Sequence, residues 1–337
     1  MTANEKPRRV HIVSHGPHCL DGVAAAAALA RYYEGVEVRA SFCGNPRIDE
    51  VLQSLDVGSP AAGQELWITD ISWTRPETDA ALRALAADGL RIFWIDHHRT
   101  ATERLASGRI DVPFADRVVD ERVSAARLVY EYLRERMRRA GERSPALERF
   151  ERIVMMADDN DRWLHQIEGS WELALTLRSM NSDEAFDELL AVDELATYTP
   201  RMRAAWQKVA AEMERSFALA ESTRTIVDDA SGVKVVSAVC DGYPSEIADR
   251  WGREIPNAVF ALFDLKGGGM SYRRSPDCPV DLSQVAKAFG GGGHPAAAGS
   301  QMPEVLQLVS RHAAERVRDA VRALATVAPA GAPQNPE

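Results

Sequence analysis

The sequence has little of what a secreted or membrane-bound protein needs. Its longest apolar run, Val23 to Ala30, consists mainly of alanine and is too short to span a bilayer. The basic N-terminus is followed by no apolar stretch typical of a signal peptide. Cysteine is scarce, with four in 337 residues and no CxxC pair, which indicates reduced thiols rather than a disulfide framework. We therefore expect a cytoplasmic protein with no membrane partner.

An excess of positive charge is also absent. The chain has 50 acidic and 40 basic residues, which gives a formal net charge of -10. Proteins that bind long nucleic acids usually carry a broad basic surface, because neutralising phosphates releases counterions. The acidic balance argues against long nucleic acid as a partner, so any nucleic-acid substrate should be short and bound in a local pocket.

What the sequence does contain is an alternation of short apolar strands with helical segments, on a chain long enough for two domains. This alternation predicts right-handed crossovers and a parallel sheet. The predicted fold class is α/β, with a parallel-sheet N-terminal domain joined by a helical connector to a smaller α/β C-terminal domain. Strands are predicted over 10–14, 36–42, 65–69 and 90–95, helices over 21–33, 75–88, 124–140, 146–156 and 201–222, further strands from Thr225 onward, and a last helix over 302–324.

Three of the predicted strands end in side chains that can bind a metal, namely His15, Asp70 and Asp96. Ligands of open α/β sheets bind beyond the carboxyl ends of the strands, so these residues are expected to meet at one edge. The segment SHGPHCLDG adds Cys19 and Asp21. Taken alone, this segment is more typical of a helix cap and a polar turn than of a metal site.

Two further segments carry acid and imidazole groups. The segment IDHH at 95–98 places His97 and His98 beyond a buried strand. The segment MMADDNDRW brings together three carboxylates, which repel one another unless they are solvated or bound to cations. Carboxylate with imidazole suits manganese, iron or zinc, and such a set can bridge two divalent ions about 3.5–4 Å apart. The three are Asp158, for which an exposed acidic loop is expected, Asp159 and Asp161.

A glycine run at 290–293, followed by His294, marks the C-terminal half. Glycines tolerate positive φ and free several backbone N–H groups, which can bind an anion. A glycine run alone is more often a flexible turn, but Arg273 and Arg274 add guanidinium donors suited to phosphate. The segment therefore predicts a phosphate-binding loop.

Together, IDHH at 95–98, FGGGGHPAAAG at 289–299 and the four residues His15, Asp21, Asp70 and Asp159 resemble the DHH phosphoesterases with a DHH-associated C-terminal domain. That family includes RecJ-like exonucleases, nanoRNases and dinucleotide phosphodiesterases, and HGPHCLDG resembles a subgroup with HGPxCxDG. The resemblance covers about 10–325. It implies a DHH catalytic metal-binding domain at 1–195, a helical connector at 196–224 and a DHH-associated substrate-binding domain at 225–325. The Pro- and Ala-rich tail at 326–337 is predicted to be disordered.

The resemblance also implies roles for individual residues. Asp96 would orient His97, and His98 would contact the scissile phosphate or the leaving group, so Asp96 and His98 are the predicted catalytic residues. Asp70 would be shared by two divalent ions, expected to be Mn²⁺. The implied metal ligands are His15, Cys19, Asp21, Asp70, His97 and Asp159. The implied substrate-binding residues are Arg274, Ser275, Gly291, Gly292, Gly293 and His294.

Cys19 departs from the family pattern, which usually has an aspartate at this position. Three interpretations follow. Cys19 ligates as a thiolate and favours zinc or iron, His18 takes its place, or the first site is weak and one tightly bound ion remains. A working site is preferred, because the other ligand positions are all filled.

The resulting hypothesis is a metal-dependent phosphoesterase. It would hydrolyse phosphodiester bonds of short oligonucleotides, or of cyclic or linear dinucleotides, with water activated by two metal ions. The alternatives are a phosphatase acting on a 3′,5′-bisphosphorylated adenosine and a nucleotide-binding sensor without turnover. A homodimer is compatible with each of these functions.

Overall fold

The computed structural model describes residues 6–326. The chain divides between Val209 and Ala210 into two compact units. This division falls within the predicted connector at 196–224, while the domain limits given above stay predictions. Apart from Thr326, the tail predicted to be disordered lies outside the described residues. Within the described part of the chain, no helix combines the length and the apolar character that crossing a membrane requires.

The first unit is built around a five-stranded parallel sheet with the strand order β2-β1-β3-β4-β5. The order reverses at β1 and β3, and ligands of such sheets bind beyond the carboxyl ends of the strands at this switch point. The strands are β1 (Arg9–His15), β2 (Glu37–Cys43), β3 (Gln64–Thr69), β4 (Arg91–Asp96) and β5 (Asp116–Val119).

Helices cover both faces of this sheet, so the inner strands β1, β3 and β4 carry apolar residues on both sides. In β4, for example, Phe93 and Ile95 pack into one apolar cluster, whereas Ile92 and Trp94 pack into the other. The helices are α1 (Leu20–Tyr32), α2 (Ile48–Gln53), α3 (Pro76–Ala87), α4 (Arg99–Ala106), α5 (Ala125–Ala140), α6 (Pro145–Glu148), α7 (Glu151–Asp161), α8 (Ser170–Arg178), α9 (Ser182–Ala191) and α10 (Pro200–Thr223), which continues into the second unit.

Helix α1 is buried along most of its length. The five alanines at 24–28 are fully buried, in the same apolar cluster as residues of α5, α7 and α9. Small side chains allow the neighbouring helices to approach closely, and alanine has the highest helix propensity. The alanine run therefore packs α1, which begins shortly after the carboxyl end of β1, tightly against its neighbouring helices.

The second unit has a six-stranded mixed sheet with the order β10-β11-β9-β8-β7-β6, in which β7 and β8 are parallel. The predicted α/β class is thus confirmed for both parts of the chain. The elements are β6 (Thr225–Asp228), β7 (Lys234–Cys240), α11 (Pro244–Glu254), β8 (Ala258–Asp264), β9 (Gly269–Arg274), α12 (Leu282–Ala288), β10 (Gly292–His294), β11 (Ala297–Gln301) and α13 (Pro303–Thr326).

One predicted helix differs from the structure. The segment 146–156, predicted as a single helix, is divided into α6 and α7 at Arg149 and Phe150. Phe150 is buried and its backbone N–H donates to Leu147, which closes a turn between the two helices. Helix α7 then continues to Asp161, so the acidic segment forms the end of a helix instead of a loop.

A buried charge network ties α1 and α5 to the sheet. Glu65 in β3 is fully buried and accepts hydrogen bonds from the Trp67 indole at 3.0 Å and from the Tyr33 hydroxyl. Its carboxylate also pairs with Arg91 and with Arg136, the latter at 3.3 Å. Removing this carboxylate would leave two guanidinium groups without their acidic partner.

We therefore expect Glu65→Ala to lower the free energy of unfolding by about 3–5 kcal/mol, the usual cost of removing one partner of a buried ion pair. Urea denaturation followed by circular dichroism measures this change. Glu37→Ala is the matched control, because Glu37 pairs with Arg9 and Arg39 at the surface, where ion pairs contribute little. Equal stabilities of the two variants would contradict the role given to Glu65.

Candidate metal centre

The turn after β1 places three predicted ligands at the carboxyl end of the sheet. His15 is the last residue of β1, Cys19 is the N-cap of α1, and Asp21 lies in the first turn of that helix. Ser14 fixes the turn, since its hydroxyl donates to the Gly22 carbonyl at 2.7 Å. The backbone geometry of the turn thus brings three side chains of different chemistry to one place.

Asp70 lies at the centre of the group. It directly follows β3 and has a φ of 60°, in the left-handed region that few non-glycine residues adopt. Its Oδ2 is 3.3 Å from the Cys19 Sγ and 3.5 Å from the His15 Nδ1. Its Oδ1 is 3.2 Å from the His97 Nε2 and 3.8 Å from the His98 Nδ1. One carboxylate therefore faces two sets of potential ligands.

The second set surrounds His97. The His97 Nε2 is 3.6 Å from the Asp21 Oδ2, and its Nδ1 is 3.6 Å from the Asp161 Oδ2. Asp21 is held in place by the first turn of α5, where the backbone N–H groups of Ala125 and Ala126 donate to it at 2.8 and 2.9 Å. Asp161 of α7 and Asp21, which follows β1, thus both lie beside His97, which follows β4.

These contacts form three overlapping groups in which the potential ligand atoms lie within 4.8 Å of one another. The His97 Nε2 is buried, and among the described residues it has no hydrogen-bond partner. Buried polar atoms are nearly always paired, so an unpaired nitrogen beside carboxylates fits a site for a divalent cation. The groups are His15, Cys19 and Asp70; Asp70, His97 and His98; and Asp21, His97 and Asp161.

The crowded carboxylates and imidazoles shift one another's pKa. Burial raises the pKa of Asp21 well above its ordinary value, and the charge of Asp70 raises it further. Burial alone would raise the pKa of Asp70, but the imidazoles of His15 and His97 beside it hold it below its ordinary value. Burial alone would lower the pKa of His97, but the close carboxylate of Asp70 and the charge of Asp21 raise it to about 9. Metal ligands must lose their protons, so cation binding here would compete with protonation.

Cys19, rather than His18, lies beside His15 and Asp70. The ring of His18 faces elsewhere, because its Nδ1 donates to the Arg178 carbonyl at 2.6 Å, and His18 belongs to none of the three groups. Burial raises the pKa of the Cys19 thiol well above its ordinary value, and Asp70 raises it further. A thiolate at this position would therefore depend on a bound cation, which deprotonates a coordinating thiol.

The role of Asp96 differs from the prediction that it orients His97. Its Oδ1 accepts a hydrogen bond from the His98 Nδ1 at 2.8 Å and from the backbone N–H groups of His97 and His98 at 2.8 and 3.1 Å. Its Oδ2 accepts from the Ser72 hydroxyl at 2.5 Å. The ring that Asp96 orients is that of His98, and it fixes only the backbone of His97.

Of the three aspartates in α7, the structure brings Asp161 and not Asp159 to the group. Both oxygens of Asp159 are used locally, Oδ1 by the Gln166 N–H at 2.8 Å and Oδ2 by the Ser170 hydroxyl. The contacts thus do not favour Asp159, which was the predicted ligand, and Asp161 lies beside His97 in its place.

The prediction that Asp158 belongs to an exposed acidic loop is also wrong. Asp158 is buried, accepts from the Ser124 N–H at 2.8 Å and pairs with Arg127 at 3.0 Å. If the segment had been interpreted as a helix, the spacing would have indicated that Asp159 and Asp161 face different sides, so that only one of them can lie beside His97. Asp158 and Asp161 are three residues apart and share a face, whereas Asp159 and Asp161 point about 200° apart.

In the second unit, two predicted substrate contacts serve the fold. Ser275 is fully buried and its hydroxyl accepts from the Ala258 N–H at 2.8 Å, so it cannot reach a substrate. The Arg274 guanidinium donates to the carbonyls of Cys278 and Val280 at 2.7 and 3.0 Å. It is only partly exposed, and part of its donor capacity is already used.

Only the second half of the glycine run forms an edge strand. Gly290 and Gly291 precede it in a turn, where their N–H groups donate to the carbonyls of Lys287 and Ala286 at 3.1 and 2.8 Å. Gly292, Gly293 and His294 are the exposed strand β10, which pairs with β11. A Cβ at Gly291 would lie 2.1 Å from the Gly299 carbonyl oxygen, so glycine allows the two strands to approach closely. His294 is exposed at the end of this strand.

Comparison with known proteins gives one curated relative. The chain is 26% identical to the oligoribonuclease NrnB of Bacillus subtilis, in a match that covers 87% of this chain and 73% of the relative. No family model matches the chain.

Solved structures with the same fold carry related names. The DHH domain of a protein described as belonging to a family of ribosomal proteins has a TM-score of 0.59 at 16% identity, covering 92% of this chain and 86% of that one. The pGpG-specific phosphodiesterase PggH from Vibrio cholerae has a TM-score of 0.54 at 12% identity, covering 92% and 99%. The exonuclease RecJ bound to manganese has a TM-score of 0.52 at 16% identity, covering 97% and 93%. These structures confirm the fold that the resemblance to the DHH phosphoesterases implied.

If Asp161 and not Asp159 binds a cation, the two variants should differ in their response to Mn²⁺. Mn²⁺ at 100 times its Kd should stabilise the protein by about 2.7 kcal/mol, because it binds only the folded state. Asp161→Asn should lose most of this stabilisation, whereas Asp159→Asn should keep it. Thermal unfolding with and without Mn²⁺ measures the effect, and Asp187→Asn, at an exposed position of α9, is the control. The opposite order of the two variants would restore Asp159 as the ligand.

Gly22 gives a second test of the centre. A Cβ at this position would lie 2.3 Å from the His15 carbonyl oxygen and 3.0 Å from the Asp70 Oδ2. Gly22→Ala should therefore displace the turn after β1 and weaken Mn²⁺ binding by at least about tenfold, the cost typical of disturbing the residues that hold ligands. Titration calorimetry measures the Kd. Gly44→Ala should bind normally, because its Cβ would meet only ordinary contacts of 3.5 Å or more.

Proposed function

Taking the resemblance to the DHH phosphoesterases in motifs and fold as the premise, we propose that this chain is a metal-dependent phosphodiesterase that acts on short oligonucleotides or dinucleotides. The observation that carries the proposal is the shared carboxylate of Asp70. It lies between His15 and Cys19 on one side and His97 on the other, at the carboxyl ends of β1, β3 and β4.

In this proposal two divalent ions bind at the two sides of Asp70. His15, Cys19 and Asp70 bind one, and the other is bound by Asp70 with Asp21, His97 and Asp161. When bound, such ions lower the pKa of water and offset the charge of phosphoryl oxygens. Mn²⁺ is the expected metal, since carboxylate and imidazole suit it and RecJ is named with manganese. The thiol of Cys19 makes zinc or iron the alternatives to test.

His98 is the residue that we propose contacts the scissile phosphate or the leaving group. Its side chain is 43% exposed, and its Nδ1 is bonded to Asp96. The other ring nitrogen, Nε2, is thus left to donate a hydrogen bond to a phosphoryl oxygen. Asp96 holds the ring in this orientation before substrate binds, which lowers the cost of ordering it during the reaction.

The proposed substrate class rests on two independent arguments. The curated relative is named an oligoribonuclease, and PggH is named a pGpG-specific phosphodiesterase. A net charge of -10 disfavours long nucleic acid, whose binding depends on many cationic contacts. In the second unit, the exposed β10 with Gly292, Gly293 and His294 is proposed to contact substrate. Because the four cysteines are free thiols, we also propose that the protein acts in the cytoplasm.

The test is hydrolysis of a substrate panel by the purified chain with Mn²⁺. We expect the dinucleotide pApA to give AMP, a 24-nucleotide RNA to be cleaved much more slowly, and 3′,5′-bisphosphorylated adenosine to remain intact. Release of phosphate from the bisphosphate alone would favour the small-molecule phosphatase. Binding of pApA without turnover would favour a nucleotide sensor.

Asp70→Asn should lower kcat on pApA by at least about 100-fold, because the shared carboxylate contributes to both ion sites and each ion supplies several kcal/mol. Asp187→Asn, remote from the site in sequence and exposed on α9, should retain normal kcat. Near-normal turnover of Asp70→Asn would contradict a mechanism that depends on both sets of ligands.

A further inference from the structure

The loop that follows α7 exposes a large aromatic side chain two residues after Asp161. All seven tryptophans lie in the described part of the chain, and only Trp163 is exposed, at 46%. Tryptophan is enriched at binding interfaces, because its large indole combines apolar area with an N–H donor. The His165 ring contacts the indole, with 4.5 Å between the ring centroids, while nearly half of Trp163 remains accessible.

This loop has a strained but well-fixed backbone. Trp163 and His165 have φ values of 54° and 53°, in the left-handed region that bulky residues rarely adopt. Hydrogen bonds hold the loop in this form. The N–H of Trp163 donates to the Asn160 carbonyl at 3.0 Å, and the N–H of Leu164 donates to the Asp159 carbonyl at 2.9 Å. Strain of this kind persists only where contacts enforce it, and it clusters at functional sites.

Asp159 is the residue that enforces the loop conformation. Its Oδ1 accepts from the Gln166 N–H at 2.8 Å, and its Oδ2 accepts from the Ser170 hydroxyl. A buried carboxylate thus ties both the far end of the loop and the start of α8 to α7. These hydrogen bonds direct the Asp159 carboxylate into the loop, and they give the loop that carries Trp163 a fixed position.

The loop lies close to the proposed reaction. Asp161, whose Oδ2 is 3.6 Å from the His97 Nδ1, is only two residues before Trp163. Two peptide units place the two Cα atoms at most about 7 Å apart. A nucleotide with its phosphate at the metal centre has its base on the far side of the sugar, within reach of a side chain at this distance.

We propose that Trp163 is a stacking platform for one nucleobase of the substrate, and that it determines the preference for nucleotides over other phosphate diesters. The proposal rests on the proposed function and adds the group that recognises the base. Every base presents a flat π-face, so stacking on indole binds bases with little sequence preference.

The experiment is a double-mutant cycle between Trp163 and the bases of the substrate. Equilibrium binding with Mn²⁺ is measured for wild type and Trp163→Ala, using phosphorothioate-linked pApA and its two analogues that lack one base each. Trp163→Ala should weaken binding of the full dinucleotide roughly 5- to 100-fold, the range for removal of a stacked aromatic ring. One abasic analogue should bind wild type more weakly by a similar factor and bind Trp163→Ala without further loss.

Fluorescence supplies an independent measurement. The dinucleotide should quench tryptophan emission of wild type, and Trp163→Phe should lose this quenching while keeping most of the affinity, because phenylalanine retains an aromatic face. Trp206→Phe is the matched control, since Trp206 is half-buried against Trp171 at 6.1 Å and should not affect quenching.

The outcomes separate this proposal from the proposed function. If the effects of Trp163→Ala and of each missing base simply multiply, Trp163 does not stack on a base and the inference is overturned. The same holds if Trp163→Phe binds as weakly as Trp163→Ala. Coupled binding without hydrolysis of pApA by wild type would support the stacking role and refute the phosphodiesterase activity. Hydrolysis of pApA without coupling between Trp163 and a base would support the phosphodiesterase activity and refute the stacking role.

Discussion

The arrangement of this protein depends on the sharing of one buried carboxylate, that of Asp70, by two sets of ligands. Each oxygen faces a different set, His15 and Cys19 on one side and His97 on the other. Buried carboxylates repel one another, and Asp21 lies in an overlapping group that shares His97. Such a group is stable only if hydrogen bonds, imidazolium or cations compensate the charge. Both the stability of the site and its capacity to bind cations therefore depend on how its buried negative charge is compensated.

Backbone N–H groups of the surrounding fold compensate part of this negative charge. The first turn of α5 receives two aspartates from different elements, since Ala125 and Ala126 donate to Asp21 and Ser124 donates to Asp158. A helix N-terminus favours negative charge because its N–H groups are unpaired and its dipole is positive there. Residues outside the three groups thus hold Asp21 in place, and this rigidity suits a site whose geometry must be ready before substrate binds.

Much of the fold and of the site was predictable from local pattern. The apolar strands that end in His15, Asp70 and Asp96 are found as predicted, because a parallel sheet buried on both faces requires continuous apolar strands. The local pattern did not show whether the acidic segment is helical, or which of its aspartates faces His97. A run of aspartates is compatible with a loop and with the end of a helix, so the sequence does not distinguish the two. Helix α7 continues to Asp161, and this decides which carboxylate faces His97.

The sequence by itself determined the α/β class, the order of the elements and the types of side chain that follow the strands, since these depend on periodicity and on residue chemistry. Only the tertiary structure decided which of several similar side chains lie together at the ends of the strands. It selected Cys19 over His18, Asp161 over Asp159, and the ring of His98 as the partner of Asp96. The physical reason is that a change of one or two residues reverses the direction of a side chain, and that direction is fixed by packing against segments distant in sequence.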